Sequence, residues 1–146
     1  SALEAMDLLK KYPGNMVATE IAALSYEQLR IYDKAIEYYQ EMWLKLDDNN
    51  ILYQIAYLQY SIKRYEEANT NIGILESKLK DDAIITLTKQ DGSTQDVKFK
   101  AALKNLSGLM SLDQGNKEDA KARFNEALAL SPDFEAAKMG LAEASK

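Results

Sequence analysis

The chain has 146 residues, which is enough for one domain whose core folds without disulfides or structural metals. Its net charge of −5 argues against nucleic acid and anionic membranes as partners, because both require a basic face. Cysteine and histidine are absent, which excludes disulfides, thiolate metal sites and the commonest general base.

Apolar residues recur at helical spacing along most of the chain, and turn residues separate the segments. The pattern predicts eight helices, over 1–12, 16–30, 33–46, 51–63, 66–80, 101–113, 117–130 and 134–145. Pro13-Gly14 ends the first helix, and Asp33 is predicted to cap the third. Helices of this length joined by short turns predict a stack of antiparallel pairs.

A β-type pattern interrupts the helices over residues 83–99, where branched residues flank Asp91-Gly92 and predict a hairpin. A two-residue turn there would set Leu87 opposite Asp96. An odd-numbered loop with Gly92 at its centre and tip instead sets Leu87 opposite Val97. Only this second register gathers the apolar residues on one face, and we expect that face to be covered: Ile85, Leu87, Val97 and Phe99. The hairpin is either a loop that packs locally or an open edge for strand addition by a partner or a second copy.

A spaced pattern of small residues recurs three times. A small residue is followed twelve positions later by alanine and, four beyond that, by a large apolar residue. The copies are Ala23, Ala35 and Tyr39; Ala56, Ala68 and Ile72; and Gly108, Ala120 and Phe124. A fixed internal period indicates supersecondary units that bury their apolar faces by stacking.

On these residues the chain resembles tetratricopeptide repeat proteins, whose 34-residue unit is a helix pair reading W-x2-L-G-x2-Y, then A-x3-F, then P. The third copy matches best, with Gly108, Gly115, Ala120-x3-Phe124 and Pro132. The chain departs from the family where the tryptophan-type position holds Thr19, Leu52 and Lys104. The resemblance implies an all-α fold, a right-handed superhelical stack of antiparallel helix pairs with a small inserted β-hairpin.

The resemblance also implies a division of the chain, as a single domain over 1–146. The expected parts are a partial repeat or capping helix at 1–15, repeat 1 at 16–48, repeat 2 at 49–82, the hairpin insertion at 83–99, repeat 3 at 101–134 and a C-terminal capping helix at 135–146.

In this family the first helix of each pair lines a concave groove that binds protein. Carried over position by position, the resemblance implies a groove lined by Glu20, Leu24, Glu27, Tyr53, Gln54, Tyr57, Tyr60, Asn105, Leu109 and Leu112. The three tyrosines stand at i, i+4 and i+7 on one helical stripe, and tyrosine is typical of recognition surfaces. The alternative is that these rings pack against neighbouring helices. A carboxylate clamp is not expected, because Glu20 and Leu24 occupy positions that are basic or amide residues in chaperone-binding members.

The resulting hypothesis is a non-catalytic scaffold that binds a protein or peptide in the groove. The alternative is a structural spacer or oligomerisation module within a longer, exported chain, and homo-oligomers are compatible with both. No enzyme activity, cofactor or metal is expected without histidine, cysteine or a phosphate-binding loop. No apolar run approaches the roughly 18 residues of a membrane span. Since the chain begins with Ser1, a trimmed signal or anchor fits the sequence, and cytoplasm and bacterial periplasm stay open as compartments.

Overall fold

The computed structural model describes all 146 residues, and they form eight helices and one two-stranded sheet in two compact units, Ser1–Leu75 and Glu76–Lys146. The first unit contains α1 (Ala2–Lys11), α2 (Met16–Gln28), α3 (Tyr32–Leu46), α4 (Asn49–Ser61) and most of α5 (Tyr65–Lys78). The second contains β1 (Ile84–Thr88), β2 (Thr94–Lys98), α6 (Phe99–Asp113), α7 (Lys117–Leu130) and α8 (Glu135–Ala144). The predicted fold class, a mostly helical chain with an inserted hairpin, is confirmed.

Short polar side chains cap the N-termini of several helices. The Asn15 side chain accepts a hydrogen bond from the Ala18 amide at 3.0 Å, and Asp48 accepts one from the Asn50 amide at 2.8 Å. These bonds satisfy amides that have no partner inside the helix. The prediction that Asp33 caps α3 is wrong, because the helix begins at Tyr32 without a side-chain cap. Asp33 lies in the first turn, where its charge suits the helix dipole.

The repeated pattern of small and large residues marks the core of each unit. In the first unit its members Ala23, Ala35, Tyr39, Ala56, Ala68 and Ile72 are all buried. In the second unit Gly108, Ala120 and Phe124 are buried as well. Within these units α2 packs on α3, α3 on α4, and α6 on α7. The small side chains therefore let paired helices approach closely, as the spacing predicts.

The ring of Phe124 fills the space between α6 and α8 in the second unit. A methyl group built on Gly108 would lie 2.7 Å from Cε1 of this ring, and one built on Gly140 would lie 2.5 Å from it. Ordinary carbon contacts are about 3.5–4.0 Å. Glycine is thus required at both positions for the two helices to hold the phenylalanine ring.

The hairpin has a register different from the predicted one. β1 pairs antiparallel with β2, with Ile85 opposite Val97 and Leu87 opposite Gln95. The predicted pairing of Leu87 with Val97 is wrong by one residue pair. Because side chains alternate between the two faces of a strand, this shift leaves Ile85, Leu87 and Val97 on one face. Ile85 and Val97 are buried there and Leu87 is half-buried.

The geometry of the loop explains this register. The Lys89 amide donates to the Ser93 carbonyl at 2.7 Å, so the loop has three residues and is centred on Asp91, not on Gly92. Gly92 is the last of the three and has a φ of 86°. Three-residue hairpin loops commonly end in such a left-handed residue, which glycine adopts without strain. Phe99, predicted to lie in the second strand, is instead the buried first residue of α6.

Candidate protein-binding surface

The ten residues predicted to line the groove fall into both compact units. Seven lie on α2 and α4 of the first unit: Glu20, Leu24, Glu27, Tyr53, Gln54, Tyr57 and Tyr60. Three lie on α6 of the second unit: Asn105, Leu109 and Leu112. The two sets have different surroundings, and each is described within its own unit.

Glu27 joins three helices of the first unit. Its carboxylate accepts a hydrogen bond from the Tyr39 hydroxyl of α3 at 2.7 Å and another from Nε2 of Gln54 on α4 at 2.8 Å. Burial, above all, and then the hydrogen bond to Glu27 raise the pKa of the Tyr39 phenol. Neutral Tyr39 therefore remains a donor at physiological pH, and these bonds fix the position of α2 relative to α4.

The three tyrosines of α4 form one line of contacting rings with very different exposure. Tyr53 is 6% exposed, Tyr60 is half-buried and Tyr57 is 39% exposed. The Tyr57 ring lies 6.4 Å from Tyr53 and 5.7 Å, edge to face, from Tyr60, which are favourable aromatic separations. Burial raises the pKa of Tyr53, with a smaller contribution from Tyr57. Tyr53 thus belongs to the core and supports the ring of Tyr57 from below.

The part of the predicted site that faces solvent is small and acidic. Leu24, one helical turn before Glu27, is 45% exposed, and Tyr57 stands one turn after Gln54. Glu20 is exposed on the same helix as Leu24. We call this set the α2–α4 surface: Glu20, Leu24, Glu27, Gln54 and Tyr57. Neither helix contains lysine or arginine, so the two glutamates are the only charges that α2 and α4 contribute.

The three predicted residues of the second unit are largely engaged in its core. Asn105 is 4% exposed, and its side-chain oxygen has no hydrogen-bond partner. Leu109 and Leu112 pack, together with Leu141, against the cluster that contains Phe124. The reason is that α8 packs on α6 and covers part of this helix.

Sequence reasoning missed the part played by Tyr39. It identified this residue as the large apolar position of the repeat, and the ring is buried as that pattern requires. A buried tyrosine hydroxyl usually needs a hydrogen-bond partner, and this one is Glu27. The sequence did contain a signal for this bond. Glu27 and Tyr39 are twelve residues apart and lie on the two helices of one predicted pair.

The charged groups offer no arrangement for metal binding, since no cluster of three or more acidic side chains could hold an ion. None of the eight helices combines the length and apolar character that crossing a bilayer requires.

Comparison with known proteins identifies both a sequence repeat and a fold. Residues 111–145 match the family model described as tetratricopeptide repeat. Among solved structures, the chain is similar to MamA, with a TM-score of 0.68 at 14% identity, over 98% of this chain and 74% of that one. It is similar to the Arabidopsis OM64 TPR domain, with a TM-score of 0.63 at 13% identity, over 88% and 93% of the two chains. A MamA RS-1 double mutant gives a TM-score of 0.60 at 15% identity, over 99% and 84%. No curated protein matches the sequence.

Proposed function

From the tetratricopeptide repeat fold that this chain has, we propose that it is a non-catalytic scaffold that binds a protein or peptide segment on the α2–α4 surface. The observation that supports this most is the pair of exposed apolar side chains, Leu24 and Tyr57, on either side of the Glu27–Gln54 hydrogen bond. A large ring and an aliphatic side chain, each near half exposure, suit a partner's apolar side chains. The similarity to tetratricopeptide repeat proteins, which are generally non-catalytic scaffolds, supports this proposal.

The surface is organised before a partner arrives. Glu27 is held by two hydrogen bonds, and the ring of Tyr57 is fixed between those of Tyr53 and Tyr60. Binding therefore immobilises few additional side chains. Each side chain that is already fixed lowers the entropic cost of binding by about 0.5–1.5 kcal/mol. Tyrosine also combines an apolar ring with a polar tip, which lets one residue contact both kinds of partner group.

The charge of the surface selects among partners. Because Glu20 and Glu27 are its only charged groups, a segment with an apolar anchor beside lysine or arginine fits best. Exposed ion pairs contribute only about 0–1 kcal/mol, so we expect them to set association rate and specificity, with Tyr57 and Leu24 supplying affinity. Binding of such a segment should weaken moderately as salt is raised.

A library of displayed peptides tests this function with many partner sequences at once. Peptides selected on the whole chain are synthesised, and their dissociation constants are measured by fluorescence anisotropy. Tyr57→Ala with Leu24→Ala should weaken binding roughly tenfold or more, as removal of central contacts does. The matched control is Tyr12→Ala, which removes a tyrosine that is 61% exposed outside this surface. Equal loss in both variants, or no loss in the double variant, would contradict the proposal.

A further inference from the structure

The hairpin of the second unit has one closed edge and one open edge. The Lys98 amide of β2 donates to the Ser131 hydroxyl at 2.9 Å. The Gln95 side chain donates to the Asp133 carbonyl at 2.5 Å and accepts from the Glu135 amide at 3.3 Å. The turn between α7 and α8 thus runs along β2 and covers that edge.

The other edge presents unused backbone groups. The bonds that join Lys89 to Ser93 and Phe99 to Ala83 show that odd-numbered residues of β1 bond to β2. In an antiparallel ladder the alternate residues direct their amides and carbonyls away from the partner strand. On β1 these are Ile84, Thr86 and Thr88, which are all exposed, and Ile84 is 54% exposed.

This edge lacks the devices that normally prevent pairing. The strand sequence, Ile-Ile-Thr-Leu-Thr, contains no charge and no proline, and its branched residues favour extended structure. Lys89 follows the strand and forms an ion pair with Glu135 at 3.4 Å. A neutral edge favours a neutral partner strand, because a charged one would lose hydration without gaining an opposite charge.

We propose that β1 pairs antiparallel with β1 of a second copy of this chain, around a two-fold axis at Thr86. The register that pairs every outward group sets Thr86 opposite its own counterpart and Ile84 opposite Thr88. These three pairs would form six ladder hydrogen bonds in a four-stranded sheet. Leu87, which is half-buried, would lie opposite Ile85 of the other copy in the closer, non-hydrogen-bonded type of pair.

Two features of the structure favour a second copy over other occupants. The strand is complementary to itself, because its outward positions carry Ile84, Thr86 and Thr88 and no charge. Pairing also consumes both open edges while the turn at 131–135 keeps both β2 edges closed. The assembly therefore stops at two chains, which is the closed, isologous arrangement expected of a natural dimer.

The oligomeric state tests the proposal directly. Sedimentation of the intact chain from micromolar to near-millimolar concentration should show a monomer–dimer equilibrium. Amide exchange at Ile84, Thr86 and Thr88 should slow as dimer forms. A chain that stays monomeric throughout, with fast exchange at these amides, overturns the proposal. So does protection of these amides by an added extended peptide while the chain remains monomeric.

Substitutions at the axis give the sharper test. Thr86→Pro removes one outward amide and the side-chain hydrogen bond from Thr86 to Asp96 of β2 at 2.6 Å. It removes no backbone hydrogen bond between β1 and β2, and proline is tolerated where the amide faces solvent. It should raise the dimer dissociation constant at least about tenfold, a loss of about 1.4 kcal/mol. Thr86→Lys keeps the backbone and places two ammonium groups opposite each other, which should also prevent pairing. Thr94→Lys, an exposed threonine of β2, is the control and should dimerise normally.

Mixing complementary variants makes the result specific to this register. Thr86→Lys and Thr86→Glu should each be monomeric alone and form a heterodimer when combined, since residue 86 meets its own counterpart. A dimer that persists in both single variants would show that another surface holds the copies together. Failure of the mixture to pair, with both variants folded by circular dichroism, would equally overturn the register.

Discussion

Replacing Gly140 with alanine tests how closely α6, α7 and α8 approach one another. The new methyl would lie 2.5 Å from both Cε1 and Cζ of Phe124, where about 3.5–4.0 Å is normal. The ring must therefore move by about 1 Å. It is fully buried, and Gly108 lies close to the same three ring atoms, Cδ1, Cε1 and Cζ. Such overpacking typically costs about 1–3 kcal/mol.

Alanine also favours the helical state over glycine by about 1 kcal/mol, which partly hides the cost. Gly73→Ala is the matched control, because Gly73 is an exposed residue of α5 with no atom within 4 Å of an added methyl. In this variant only the higher helix propensity of alanine acts, so it should be stabilised by about 0.5–1 kcal/mol. The difference between the two variants therefore isolates the overpacking at Phe124.

Urea unfolding followed by circular dichroism measures both variants, because this signal comes from the helices of both units, whereas the single tryptophan, Trp43, lies in the first. Phe124→Leu removes the ring atoms that the methyl meets. In that background Gly140→Ala should cost at least about 0.5 kcal/mol less, as expected for residues in contact. Equal effects of Gly140→Ala and Gly73→Ala, or strict additivity with Phe124→Leu, would refute this packing.

Three further predictions concern the core and the tyrosines. Ala68→Leu or Ala120→Leu should lower stability by about 1–3 kcal/mol through overpacking at a buried helix contact, and unchanged urea midpoints would contradict the repeat register. Tyr53→Ala should destabilise the first unit by about 3–5 kcal/mol, as for a buried aromatic residue, whereas Tyr57→Ala should change the thermal midpoint little. Buried Tyr39 and Tyr53 have raised pKa values, so the stability that they contribute is present below the ordinary tyrosine pKa of about 10 and is lost as pH rises above it. Urea midpoints should fall with alkaline pH, and less steeply in Tyr53→Phe; a slope unchanged by that substitution would show that Tyr53 does not titrate on unfolding.

Helices were predictable because their determinants are local. The 3.6-residue period, the turn at Pro13-Gly14 and the glycine at 115 fix where each helix begins and ends, to within about two residues. Burial of Ala35, Ala68 and Ala120 followed from spacing alone. The resemblance to tetratricopeptide repeat proteins, drawn from the same residues, is confirmed by the match at 111–145 and by the similar structures.

The hairpin shows that the alternation of side chains along a strand does not determine how two strands pair. Alternation decides which face each residue of β1 occupies, and that part of the prediction is confirmed for Ile85 and Val97. Alternation does not decide which residues are opposite each other. When Leu87 pairs with Gln95 and not with Val97, every side chain stays on the same face of the sheet. The register was set instead by the left-handed backbone of Gly92 at the end of the loop. The Asp91 side chain also holds the loop, because it accepts hydrogen bonds from the Ser93 amide at 2.9 Å and the Ser93 hydroxyl at 2.5 Å.

The candidate site was predictable only to the level of a helical face. Tyr53 and Tyr57 are one turn apart, so spacing places them on the same stripe, yet one is buried and the other is exposed. The boundary between core and surface depends on how α3 and α4 pack, which the spacing along α4 does not contain. Asn105 is buried for a similar reason, because α8 packs on α6. The division of the chain into repeats and the full groove remain predictions.

The central claim is that the α2–α4 surface binds a protein segment, and one measurement tests it most directly. Amide exchange and side-chain NMR of the whole chain are followed during titration with a selected peptide that carries an apolar residue beside lysine or arginine. We expect the changes to centre on Leu24, Gln54 and Tyr57, and to disappear in the Leu24→Ala, Tyr57→Ala double variant. Saturable binding with its changes elsewhere, and with unchanged affinity in that variant, would contradict the claim.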